Sequence, residues 1–141
     1  MRSVRRLAAV AATILALTVL VPSVAAVAPH SGTLHLEKEC SKYTGAAGGY
    51  CTFTSPFDAI TVGSRIYYSS AATNAGVDSD VVIVVGHGTT ATGHCTLVIA
   101  ALPGQCSFWK GTGRLAGFHA LVSVSTKDGV NWAWDGTYGY H

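Results

Sequence analysis

A handful of side chains in this sequence have the types and spacing to do chemistry. Glu37 and Glu39 alternate along one stretch, so in a strand they share a face with His35. Turned into an apolar interior, that face would raise a carboxyl pKa by desolvation and supply a general acid; turned outward, it is an ordinary polar surface. Asp135 is the third acid candidate. Trp132 and Trp134, spaced i and i+2, could stack a flat apolar ligand or fill a core. His119 with Tyr138 could act as an acid–base pair.

Other chemistries find less support. Asp78 and Asp80 hint at calcium, but the remaining positions of a cation loop are missing. His87 and His94 flank a short turn and could pinch a metal, yet solvated loop residues read the same way. No Ser-His-Asp order with an elbow glycine appears, so a hydrolase has no foothold. Gly111 and Gly113 are followed by Gly117, one residue too late for a dinucleotide fingerprint, and no helical pattern comes after them. No metal and no cofactor is expected.

Four cysteines, Cys40, Cys51, Cys95 and Cys106, allow three pairings. Each neighbouring pair brackets a glycine-containing stretch, which favours Cys40–Cys51 and Cys95–Cys106. The second bridge needs a wide loop, because a tight turn at Pro103-Gly104 would set Cys106 opposite Ala101. Zinc is the rival, but the short Cys-x-x-Cys spacing of structural zinc sites is absent.

The elements that must position these residues are strands. Runs rich in Val, Ile, Thr, Tyr and Phe recur between Gly, Pro, Asn and Asp, and no helical period appears beyond the N-terminal segment. Strands are expected near 33–40, 50–54, 64–69, 80–86, 93–99, 105–110, 117–127 and 130–140, which suits a small barrel or sandwich. Val81-Val82-Ile83-Val84-Val85 is apolar on both faces, so its outside calls for cover from the loop at 71–79 or from another subunit. Asp128-Gly129 reads as a two-residue hairpin turn pairing Lys127 with Val130. That register puts His119 opposite Tyr138, Ser123 opposite Trp134 and Ser125 opposite Trp132 on one face. Phe118, Ala120, Val122 and Val124 then share the other face with Ala133, Asp135 and Thr137, and either face could line a barrel.

The first 26 residues read as a secretory signal: three arginines by position 6, an apolar run from Leu7 to Val21 and small residues at 23–26. The apolar run is too short to span a bilayer. Residues 27–141 would form one domain, with export explaining the even cysteine count. Without Arg2, Arg5 and Arg6 the domain holds six Lys and Arg against seven Asp and Glu, a formal charge of −1. Such a balance offers no footprint for nucleic acid, and no membrane partner is expected once the leader is removed.

Gly111-Thr112-Gly113-Arg114-Leu115-Ala116-Gly117-Phe118 resembles the glycine turn of the barrel superfamily that holds allene oxide cyclases and dirigent proteins. Val62-Gly63-Ser64-Arg65-Ile66-Tyr67-Tyr68 is similar to a dirigent strand upstream of it. The resemblance implies an all-β fold, a single eight-stranded antiparallel β-barrel, commonly trimeric, with an apolar lumen. It implies a first-strand glutamate acting on an epoxide, for which Glu37 or Glu39 stands, although the accompanying asparagine is absent. Dirigent activity would draw on pocket carboxylates and an arginine, for which Arg65, Arg114 and Asp135 qualify by type. The expected function is a secreted barrel holding a small hydrophobic molecule, with no committed reaction. A cyclase- or dirigent-like enzyme and a non-enzymatic surface protein are the alternatives.

Overall fold

A computed structural model describes residues 30–141, and the expected secretory signal at 1–26 lies outside them. Eight strands follow in order: β1 (Ser31–Glu39), β2 (Tyr50–Phe53), β3 (Arg65–Tyr68), β4 (Gly76–Gly86), β5 (Thr89–Val98), β6 (Gly104–Thr112), β7 (Phe118–Thr126) and β8 (Asn131–Tyr140). Each pairs antiparallel with the next and β8 closes on β1, so the sheet is an eight-stranded antiparallel barrel with no edge strand. Period-two patterning explains the closure. In β7, Phe118, Ala120, Val122 and Val124 are buried while Leu121, Ser123 and Ser125 face water.

All eight expected strands are present, and β4 and β5 each begin four residues earlier than expected. β4 begins at Gly76, so the second half of the 71–79 segment is itself strand and does not cover the valine run. Val81 and Ile83 point inward, whereas Val84 is exposed on the outside. β4 and β5 are joined at His87-Gly88, both at positive φ (50° and 73°), the backbone of a mirror-image hairpin turn.

The last hairpin corrects the expected register. Of its two turn residues only Gly129 takes positive φ (76°). The Asp128 carboxylate instead accepts from the backbone N–H groups of Val130 (2.8 Å) and Asn131 (2.7 Å) and from Asn131 Nδ2 (2.7 Å). Those bonds, led by the Asn131 side chain, hold the Asp128 carboxyl down to about 2. An aspartate-capped loop therefore replaces the two-residue turn, and pairing slips by one residue. Thr126 now opposes Trp132, Val124 opposes Trp134 and Ala120 opposes Tyr138. A one-residue slip exchanges the faces, so Trp132, Trp134 and Tyr138 join the apolar set inside. His119, opposite Gly139, and Asp135, opposite Ser123, go outside.

The two ends of the barrel differ. At the end bearing the start of β1 and the end of β8, the loop between β2 and β3 folds back with Ala59 and Ile60 buried. Leu115, from the 3-10 turn Gly113–Leu115, is buried as well. The lumen between Ile60 and Trp134 has no room for a water molecule. The opposite end carries both disulfides, Cys40–Cys51 and Cys95–Cys106. Cys95 and Cys106 sit directly opposite each other because the intervening loop is wide, holding a second 3-10 turn at Ile99–Ala101.

The glycine turn sits where β6 bends into β7. Gly113 has φ +58°, and a Cβ there would meet Thr89 Oγ1 at 2.6 Å and the Gly88 carbonyl at 2.9 Å. Gly113→Ala is expected to cost about 2 kcal/mol, or about 10 °C in Tm. Gly129→Ala, with positive φ but open space around it, should cost about 1 kcal/mol. Equal losses in a thermal melt would mean that the corner is not tightly packed.

Candidate functional site

Lys38 sits on the inner face of β1, flanked across the sheet by Phe53 of β2 and Trp132 of β8. It is 4% exposed. Its Nζ donates a hydrogen bond to the Tyr68 hydroxyl. The same nitrogen lies 5.1 Å from the Trp134 ring centroid, 5.2 Å from that of Tyr68 and 5.9 Å from that of Trp132. Among the described residues no carboxylate lies within ion-pair distance of it; the ion pairs there all involve His35 or His94.

Two effects compete at this amine. Ring faces favour the ammonium by about 0.5–2 kcal/mol each, whereas stripping an ammonium of water costs several kcal/mol. Desolvation wins, and burial brings the Lys38 amine down to about 7. Burial pushes the Tyr68 phenol well above its ordinary value, so it stays a neutral hydroxyl. At pH 7 the amine is about half uncharged, and above that largely so, beside an uncharged phenol.

The amine opens onto a cavity of about 130 Å³ lined by Tyr43, Tyr68, Val77, Leu97, Val124, Trp132 and the two disulfides. The Tyr43 hydroxyl is buried without a hydrogen-bond partner, as is Trp134 Nε1. Tyr43 packs its ring 5.0 Å from that of Tyr68. Outside, an open cleft of about 560 Å³ runs between the end of β1 and the β7–β8 hairpin. Lys38 and Trp132 line both spaces.

Of the residues singled out in the sequence, Trp132 reaches this cavity. Trp134 touches Lys38 but is packed into the closed lumen against Phe53 and Phe108. Tyr138 points inward at the plugged end, edge-on to Phe57 with ring centroids 4.8 Å apart. His119 is not its partner; it stacks on His141 at 3.9 Å. Glu37 and Asp135 stand outside the barrel around His35, whose Nδ1 is 2.6 Å from Asp135 and whose Nε2 is 3.8 Å from Glu37. Hydrogen bonding to Asp135 raises the His35 pKa. Glu39 also lies on this outer face, where the Ser41 hydroxyl and N–H lower its pKa rather than raise it. No desolvated general acid is built from these three carboxylates.

Arg65 lies over the Tyr50 ring at 4.4 Å on the outer surface, and Arg114 is exposed beside the glycine turn. Asp78 and Asp80 belong to β4 rather than to a loop, and both accept from His94 (2.7 and 2.8 Å), which raises its pKa. Among the described residues no group of three or more His, Cys, Asp or Glu is arranged to hold a metal ion. No helix there is long and apolar enough to cross a membrane.

Sequence reasoning missed Lys38, Tyr43 and Tyr68. The signal was present: Leu34, Leu36, Lys38 and Cys40 fall on alternate positions, so the strand face that carries two leucines also carries the lysine. Comparison with protein-family models, with curated proteins and with solved structures finds no match to this chain.

Proposed function

We propose that this is an exported barrel that binds a small hydrophobic molecule at its disulfide-bearing end. The cavity beside Lys38 carries the reading. Its volume of about 130 Å³ approaches the roughly 150 Å³ of an apolar protein cavity that takes up benzene, so one ring or a short aliphatic chain is the matching size. The lining is aromatic and aliphatic with a few polar atoms, as expected of a small-molecule site. The closed lumen beyond Trp134 limits the ligand to this end.

The antiparallel meander and the glycine corner support the resemblance to the allene oxide cyclase and dirigent barrels, and with it a homotrimer. The two disulfides support export. Saturating toluene should raise Tm by about 5 °C, and a cavity-filling Val124→Phe variant should lose that response. A thermal shift absent for every single-ring compound would leave a sealed barrel acting through its surface.

A further inference from the structure

We propose that Lys38 captures an aldehyde of single-ring size as an imine within the cavity. The inference rests on the ligand-binding reading above and names the chemical class of its ligand. A lysine held in an apolar pocket without a carboxylate has no evident structural use, since a methionine would fill the space with no polar atom to satisfy. What distinguishes an amine there is its lone pair. Nζ is held in place by its hydrogen bond with the Tyr68 hydroxyl, and Lys38 lines the cavity that a carbonyl compound would enter. The unpartnered Tyr43 hydroxyl lines the same cavity and supplies a donor for the carbonyl oxygen.

The step balances without an oxidant or reductant. The Nζ lone pair forms a bond to the carbonyl carbon, the carbonyl π pair moves to oxygen, and one amine proton follows it to give a carbinolamine. The Tyr68 hydroxyl donates a proton as the C–O bond breaks, the remaining N–H proton returns to the phenolate, and imine and one water are formed. Once the ring fills the cavity, water is displaced from around the imine, which disfavours the reverse hydrolysis. A carboxylate ligand is the less suitable occupant, because it would carry its charge into apolar surroundings.

The test uses the disulfide-intact protein without its leader, with benzaldehyde as probe, cyanoborohydride as trap and peptide mapping as readout. A benzyl group on Lys38, about tenfold or more above each of the exposed Lys42, Lys110 and Lys127, is the expected result. Lys38→Met should lose that adduct, while Lys110→Met, at an exposed position outside the cavity, should keep both the adduct and toluene binding. Equal labelling of all four lysines, or none at Lys38 while toluene binds, overturns the imine and leaves the binding site standing. Benzoate binding more tightly than toluene with no Lys38 adduct would make the amine an ion-pair partner and also overturns it. Failure of toluene and benzaldehyde alike removes the binding reading itself.

Discussion

Lys38→Met is expected to stabilise the protein at pH 7 by on the order of 4 kcal/mol and to flatten the dependence of stability on pH between 7 and 10. The native amine titrates at about 7 against 10.5 in the unfolded chain. Between those values the unfolded chain binds a proton that the native chain has released, so lowering the pH favours unfolding. Below about pH 7 both states are protonated and the full penalty, at about 1.4 kcal/mol per pKa unit, is present. Wild-type stability attributable to this group therefore rises from pH 7 toward 10. Above pH 10 the buried Tyr68 reverses the slope, because it keeps its proton while the unfolded chain loses one. Denaturation of both proteins at a series of pH values isolates Lys38, since all other titrating groups are shared. Parallel curves would mean that the ammonium reaches water.

Trp134→Ala should cost about 4 kcal/mol, near the top of the range for a core truncation. Trp134 is 1% exposed and wedged between Phe53 and Phe108, with ring centroids 5.4 and 5.5 Å away. The indole also separates the filled lumen from the space beside Lys38. Its removal should therefore let the cavity run deeper and admit a two-ring probe such as naphthalene that the wild-type protein excludes. Urea denaturation gives the loss, and naphthalene fluorescence the gain. A loss under 1 kcal/mol would show that the lumen collapses around the missing ring. The milder Trp134→Phe, expected to cost about half as much, keeps the test open if the alanine variant does not fold.

The fold was largely legible because its signals are local. Valine-rich runs between glycines marked the strands, and matched cysteine spacing marked both disulfides. The last hairpin departs from its expected register because Asp128-Gly129 satisfies two turn chemistries. The side chain of Asp128 bonding forward to Asn131 selects the longer loop, and this depends on Thr126 and Asn131 as much as on the turn pair itself. From that single slip came the wrong partner for His119. The site was the least legible part. Lys38 became a candidate only once Tyr68 and Trp132, thirty and ninety-four positions along the chain, were brought beside it.

Both extremities of the described chain lie at the plugged end. Ser31 pairs with Gly139, the Tyr140 N–H reaches the His30 carbonyl, and the His141 N–H reaches that of Gly117. A tether attached at either terminus would thus hold the barrel by its base and turn the cavity outward. Joining the two termini with a short linker and reopening the chain elsewhere should be tolerated, since β1 and β8 are already neighbours. The same geometry makes this small scaffold suitable for display on a surface, where attachment and ligand access occupy opposite poles.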